Sequence, residues 1–93
     1  NVAQATNISE SRLVTTNAAE SGIENAMIRL IRDPSYAGET LLIDNATIIT
    51  TVTGSTTKTI ITHATQGSYT HTIEVTVEYL NNLLTVTSWH PLY

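Results

Sequence analysis

The chain has 93 residues, a hydrophobic fraction of 41% and a formal net charge of −4. A chain of this length supports one modest core, so residues 1–93 are predicted to fold as a single domain. The four cations, Arg12, Arg29, Arg32 and Lys58, are too dispersed to displace counterions from a phosphate backbone, which excludes nucleic acid as an expected partner. The absence of cysteine excludes disulfides and thiolate metal sites.

The first third of the sequence has the pattern of one amphipathic helix. From about Ala3 to Arg32 there is no proline and a single glycine, Gly22. Apolar residues recur there every three to four positions, as on one face of a helix. The residues of this stripe are Ala19, Ile23, Ala26, Met27, Leu30 and Ile31. Pro34 disfavours helical geometry at Asp33, so the helix is predicted over residues 1–33.

The N-terminal half of this helix carries apolar residues that one small core would leave poorly covered. They are scattered among Thr, Ser and Asn, and they are Val2, Ala5, Ile8, Leu13 and Val14. Two interpretations are open: the segment is a frayed terminus, or it is a helix that packs against other subunits. On the second interpretation these five residues are the predicted subunit-packing positions.

After a loop at residues 34–38 the sequence changes to alternating Thr, Val and Ile with short turn signals. The predicted strands are Glu39–Ile43, Ala46–Thr53, Thr56–Thr65, a fourth centred on Ile73–Tyr79, and Leu83–Trp89. Residues 39–93 are therefore predicted to form an antiparallel meander β-sheet. Because the helix stripe is the one element available to cover a face of that sheet, the predicted fold class is α+β, one long N-terminal helix packed on an antiparallel meander. Ile23, Ala26, Met27 and Leu30 are expected to pack against Ile73, Val75 and Val77.

No cluster of side chains indicates catalysis or metal binding. His63 and His71 are equidistant from Gly67, so a three-residue loop would place them opposite each other. A useful metal site needs a third ligand, which nothing nearby supplies, so we expect the pair to be inert. Glu20 and Glu24 lie four apart without a nucleophile–base pair and are interpreted as solvated or subunit-facing carboxylates. Neither a metal, a cofactor nor an enzymatic activity is expected.

Two further features concern the chain ends and the membrane. No apolar run reaches the roughly 18–20 residues needed to span a bilayer, and the N-terminus lacks the features of a signal peptide. The sequence begins with Asn1 rather than Met, and we expect the natural N-terminus to lie further upstream. Trp89, near the other end, is predicted to anchor the core or the end of the sheet.

Three segments carry a resemblance to a known family. They are Ala-Ala-Glu-Ser-Gly-Ile-Glu-Asn-Ala at 18–26, Arg-Asp-Pro-Ser-Tyr-Ala-Gly-Glu-Thr at 32–40, and Thr-Val-Thr-Ser-Trp at 85–89. Together with the order of helix and strands, they resemble bacterial type IV pilin-like proteins, in particular minor pilins and the pseudopilins of type II secretion systems. The sequence is similar to this family from the amphipathic half of the helix onward. The family's cleavage motif, methylated first residue and early glutamate have no counterpart here, so those residues are not carried over.

The resemblance implies a structural role. A pilin-like chain would be a subunit of a type IV pilus or a type II secretion pseudopilus, in the bacterial cell envelope or in an extracellular filament. Its partners would be other pilin or pseudopilin subunits, and it would contact a membrane only through an apolar helix half absent from this sequence. The alternative is a free-standing extracellular binding or adhesion module. The sequence does not decide whether the subunit is major or minor, whether it belongs to a pilus or a pseudopilus, or which surface ligand it contacts.

Overall fold

The computed structural model describes residues 2–43, 45–81 and 83–92, and it describes the side chains of the helix from Val14 onward. One helix precedes five strands. Their bounds are α1 Val2–Arg32, β1 Gly38–Ile43, β2 Ala46–Gly54, β3 Thr57–Gln66, β4 Tyr69–Leu80 and β5 Leu83–Leu92. The predicted strands lie within these bounds or differ from them by one residue at an end, and β4 and β5 are longer than predicted.

The five strands form one antiparallel sheet in the order β1-β2-β3-β4-β5. Each strand pairs with its neighbour in sequence, because the connections are too short to reach any other strand. Positive φ angles at the turns, 65° at Asn45, 60° at Gly67 and 52° at Asn81, reverse the chain tightly. Glycine and asparagine tolerate this left-handed region better than other residues, which is why they stand at these positions.

The core lies between one face of the sheet, called here the helix face, and α1. The buried apolar residues are Ala18, Ala19, Ile23, Ala26 and Leu30 on α1, and Ala46, Ile48, Val52, Ile60, Ala64, Ile73, Val75 and Val77 on the sheet. The predicted packing of the helix stripe against β4 is confirmed, with Met27 half-buried at its margin. Ile31 was wrongly assigned to the stripe, since it is 55% exposed.

The helix lies unusually close to the sheet at Gly22. A Cβ atom on this residue would stand 2.9 Å from Cγ2 of Ile48, closer than Cβ atoms approach their neighbours in proteins, and 3.0 Å from Cγ2 of Thr62, where the neighbour would have to give way. The Thr62 hydroxyl donates a hydrogen bond of 3.0 Å to the carbonyl oxygen of Ala19, one turn earlier on α1. A glycine inside a helix normally destabilises it by about 0.5–1 kcal/mol relative to alanine. Here its missing side chain is what allows the two elements to approach.

The predicted fold class, one long helix packed on a meander sheet, is wrong in the weight it gives to the helix. The chain is a small α+β domain dominated by its sheet, which holds 61% of the residues with described side chains. The helical segment that covers the sheet is short, residues 14–32. The helix was predicted back to Ala3 because the sequence contains no proline over that stretch. In the described part of α1, however, the buried residues lie between Thr15 and Leu30.

Replacing Leu30 by Ala should lower the free energy of unfolding by about 2–4 kcal/mol, because it leaves a cavity at a fully buried position. Such a loss is a large part of a margin of about 5–10 kcal/mol. Ile28→Ala is the matched control, since Ile28 lies on the same helix and is 53% exposed. Denaturant unfolding of both variants measures the difference. Equal losses would show that the two positions are packed alike.

Two threonines under the helix should respond in opposite directions to the same substitution. Thr50 and Thr62 are paired on β2 and β3 and both are buried, but the Thr50 hydroxyl has no hydrogen-bond partner among the described residues. Thr50→Val should raise the free energy of unfolding by about 1 kcal/mol, because an unpaired buried hydroxyl is destabilising. Thr62→Val should lower it by about 1 kcal/mol through loss of the bond to Ala19. Thermal and urea unfolding check the signs, and a loss at both positions would contradict the prediction.

Candidate functional site

The predicted subunit-packing positions lie at the N-terminal end of α1. The side chains of Val2, Ala5, Ile8 and Leu13 lie outside the described residues. Val14 is half-buried and packs against the core of the domain. At least part of the Val14 surface is therefore used within the domain, and the subunit-packing role of all five positions stays a prediction.

The expected pairing of the two histidines is wrong. Gly67 and Ser68 alone form the turn, so Gln66 pairs with Tyr69 and the register is centred between Gly67 and Ser68. His63 then lies opposite Thr72 and His71 opposite Ala64. Because side chains alternate across a strand, a shift of one residue places the two imidazoles on opposite faces of the sheet. His63 lies on the solvent face, where its Nδ1 is 2.6 Å from the Thr72 hydroxyl.

Glu20, Glu24 and Trp89 are all exposed, but they lie on different elements. Both glutamates are exposed on α1. Trp89 pairs with Val75 at the helix face of the edge strand β5, where it remains 41% exposed. It therefore stands beside the core and is not enclosed by it.

A polar cluster that the sequence analysis did not identify joins the helix, the loop and the first strand. Three groups converge on Oε2 of Glu39: the Tyr36 hydroxyl donates from 2.6 Å and the Asn25 amide from 3.2 Å. The Arg29 Nε lies 3.6 Å away. Asn25 and Arg29 are one turn apart on α1, so one carboxylate is bound from two turns of the helix and from the loop.

The surroundings of this cluster change the acidity of its members. The hydrogen bond from Tyr36 is the main cause that lowers the pKa of Glu39, assisted by Asn25 and by the charge of Arg29. Burial, followed by the hydrogen bond to Glu39, raises the pKa of Tyr36 well above its usual range. The carboxylate and the phenol therefore each retain the form that the hydrogen bond requires.

The cluster has a structural role that follows from its position. It ties the C-terminal turns of α1 to β1 across the loop, and that loop is tightened by Asp33, which accepts hydrogen bonds from the backbone and hydroxyl of Ser35. These bonds lower the pKa of Asp33. The signal for the cluster was present in the sequence as Asn25 and Arg29 at i and i+4. Its partners on the far side of a turn could not be assigned without the register of β1.

The solvent face of the sheet, opposite the helix, is dominated by threonine. On β2, β3 and β4 the outward positions include Thr47, Thr51, Thr53, Thr57, Thr59, Thr65, Thr70, Thr72 and Thr76. Strand propensity on a wet surface is sufficient to explain them. Among the residues with described side chains, no cavity is found, and no group of three or more His, Cys, Asp or Glu is placed to hold a metal ion.

Comparison of the chain with protein-family models, with curated proteins and with solved structures finds no match. Within the described part of the chain, no helix is both long enough and apolar enough to cross a membrane.

Acid should weaken the contribution of Glu39 to stability. Because its pKa is lower in the folded chain, the stabilisation is present above the unfolded pKa of about 4.3 and is lost as the pH falls through the folded value. Glu39→Gln should therefore destabilise the domain at pH 7 and differ less from the wild type below about pH 4. Urea unfolding between pH 3 and 7 measures this. A difference between Glu39→Gln and the wild type that did not shrink on acidification would contradict the prediction.

Proposed function

We propose that this chain is a structural subunit of a type IV pilus or a type II secretion pseudopilus, located in the bacterial cell envelope or in an extracellular filament. Its role is mechanical: helices bundle as the filament core, and sheet domains form the outer surface. Its partners are other subunits of the same kind. No catalytic step is part of this role.

The length of the helix relative to its covered part is the observation that carries the proposal. Within the described side chains, burial on α1 begins at Thr15. The helical backbone continues from there towards the N-terminus as far as Val2, about three and a half more turns. The chain as a whole is 53 Å long but only 22 by 16 Å across. On this proposal, the part of α1 before Thr15 provides the surface that neighbouring helices contact.

The segment that carries the family resemblance also has a clear physical function in the fold. In Ala18–Ala26 the small residues face the sheet: Ala18, Ala19, Gly22 and Ala26 are all buried. The glutamates between them, Glu20 and Glu24, are exposed. The similarity to pilin-like chains therefore falls on the positions that bring helix and sheet together, which is the layout expected of a subunit that holds a sheet domain on an assembly helix.

The cluster around Glu39 supports a firm mechanical attachment of helix to sheet. A subunit that transmits force from a helix bundle to a surface domain needs the helix end fixed to the sheet. Asn25 and Arg29 on the helix hold the same carboxylate oxygen as Tyr36 in the loop. Pulling α1 away from the sheet must break these contacts together with the buried apolar contacts between helix and sheet.

Charge substitutions in the N-terminal part of α1 test the proposal. Ile8→Glu and Leu13→Glu should block incorporation into filaments when the variants replace the natural subunit in the source bacterium. They should leave the unfolding temperature of the isolated domain nearly unchanged, because the sheet covers a later part of the helix. Asn17→Glu is the control on the same helix, since Asn17 is exposed, and it should incorporate normally.

Two results would count against the filament role. Normal incorporation of both Glu variants would show that this part of the helix does not meet other subunits. Unfolding of the isolated domain by either variant would show that the segment belongs to the domain's own core. In both cases the alternative, a free-standing extracellular binding or adhesion module, would be favoured.

A further inference from the structure

The edge strand β5 lacks two of the features that commonly protect a sheet edge, namely short length and charged side chains. It is ten residues long and has no Asp, Glu, Lys or Arg, whereas protected edges are short or carry charge. Four large apolar side chains on it are exposed: Leu83 at 66%, Val86 at 45%, Trp89 at 41% and Leu92 at 42%. Pro91, near its end, and a bulge near its middle are the protective features that the strand does carry.

The exposed apolar residues of β5 are divided between the two faces of the sheet. Leu83 and Leu92 pair with Leu80 and Thr72 and lie on the solvent face. Val86 and Trp89 pair with the buried Val77 and Val75 and lie on the helix face. Simple alternation would place residues 86 and 89 on opposite faces, because they are three apart.

A bulge in the middle of β5 explains why they share a face. Thr76 pairs with Ser88 and the next residue, Val77, pairs with Val86, so Thr87 is an extra residue without a cross-strand position. Its hydroxyl donates to the carbonyl oxygen of Thr76 at 3.1 Å. One extra residue reverses the alternation beyond it.

We propose that β5 is a self-pairing edge: two copies of this chain associate antiparallel through β5 and form one continuous ten-stranded sheet. In a single register, centred between Thr87 and Ser88, the whole strand pairs with its copy. The cross-copy pairs are Leu83 with Leu92, Leu84 with Pro91, Thr85 with His90, Val86 with Trp89, and Thr87 with Ser88. Every pair except the central bulge joins residues of the same face. All four exposed apolar side chains of each copy meet an apolar partner.

The register depends on the bulge. Without the extra residue, this centre would place Val86 of one copy opposite a Trp89 that pointed to the other face of the sheet. With the extra residue, one row of side chains on the helix face runs across the seam, which is the line where the two β5 strands meet. The row consists of Val77 and Val86 of one copy and Trp89 and Val75 of the second copy, and it is apolar throughout. The second copy is therefore the occupant that the pattern of β5 fits, since an unrelated strand need not repeat this spacing.

The distribution of charge permits the same arrangement. The chain carries a net charge of −4, but among the described residues the Asp and Glu side chains nearest to the seam, Glu74 and Glu78, are on β4. In the paired sheet the β4 strands of the two copies are three strand spacings apart, about 14 Å. This exceeds the Debye length of about 8 Å at physiological ionic strength, so repulsion across the seam is largely screened.

The size of the contact predicts a weak dimer. A strand of this length is about 33 Å long and a sheet is roughly 10 Å deep, so each copy contributes roughly 330 Å² of contact section. A stable interface takes about 800 Å² from each partner. Pro91 also removes one backbone donor at each end of the seam. The association is accordingly reversible and depends on protein concentration, and it does not require the filament role.

Cysteine pairs test the register directly, because the chain has no cysteine of its own. Under mild oxidation, an equimolar mixture of L83C and L92C should form a disulfide-linked dimer, since residues directly opposite have Cβ atoms about 4.5–5.5 Å apart. Either variant alone should form at least tenfold less, because the pairing separates its two cysteines by the length of the strand, about 30 Å. Both residues are exposed, so the unfolding temperature should not change.

Sedimentation equilibrium of charge variants provides a second test without cross-linking. L83E/L92E places two carboxylates opposite each other at both ends of the seam and should remain monomeric, since like charges directly opposite are destabilising. L83K/L92E places opposite charges there and should dimerise at least as well as the wild type, whose average mass should rise towards twice the monomer mass with concentration.

Three outcomes would overturn the proposal. The first is a wild-type chain that is monomeric at every concentration and a mixture that does not cross-link. The second is cross-linking of L83C alone at the yield of the mixture. The third is preferential cross-linking of L92C or L83C with L42C, since Leu42 is 73% exposed on the opposite edge strand, β1. That result would show that β5 pairs with β1 of another copy.

Discussion

The close contact between α1 and the sheet at Gly22 is the constraint on which the rest of the structure depends. With a side chain at this position, Ile48 or Thr62 would have to move, and both are buried in well-packed surroundings. Protein interiors are packed at crystal density, so such a shift would propagate along β2 and β3. The distance between helix and sheet set here determines how deeply the later residues of α1, above all Ile23 and Leu30, reach into the core.

The same closeness explains the polar groups found under the helix. A helix lying close to a sheet brings its backbone carbonyls within reach of the threonines below, and Thr62 donates to that of Ala19. Thr50, beside it, finds no partner among the described residues. The unpaired hydroxyl is tolerated because threonine also supplies the methyl group and the branched shape that a strand position favours. The contact between α1 and the sheet thus combines tight apolar packing with one hydroxyl that is hydrogen-bonded and one that is not.

The orientation of the helix is fixed at its other end by Glu39. Apolar packing is not directional, so a stripe of alanines and larger aliphatic residues alone would allow α1 to rotate or slide on the sheet. Hydrogen bonds are directional, and Glu39 receives two of them, from α1 through Asn25 and from the loop through Tyr36. Small residues near the middle of α1 therefore set the separation, and the cluster sets the alignment.

Periodicity in the sequence was sufficient to predict which elements exist and which faces form the core. The alternation of Ile73, Val75 and Val77 identified the buried face of β4, and the spacing of Ile23, Ala26 and Leu30 identified that of α1. Both signals are reliable because apolar burial contributes most to folding and its pattern repeats along the element. The extent of the covered helix could not be predicted, since the proline-free run with scattered apolar residues continues back to Ala3, while the described burial on α1 begins at Thr15. Ile31 was misassigned for a related reason: it lies near the end of α1, at the margin of the stripe.

Surface features were less predictable because they depend on register, and register depends on single residues. The apolar residues of a strand show which face is buried, but the pairing register also depends on the length of the turn. A two-residue turn at Gly67 and Ser68 places the two histidines on opposite faces of the sheet. On β5 the bulge at Thr87 acts in the opposite sense and brings Val86 and Trp89 to one face. Neither the turn nor the bulge alters the core, since Val75 and Val77 on the strand between them are buried. Single-residue changes at a turn or a bulge can therefore redesign what this sheet presents to other molecules while the fold that supports it stays the same.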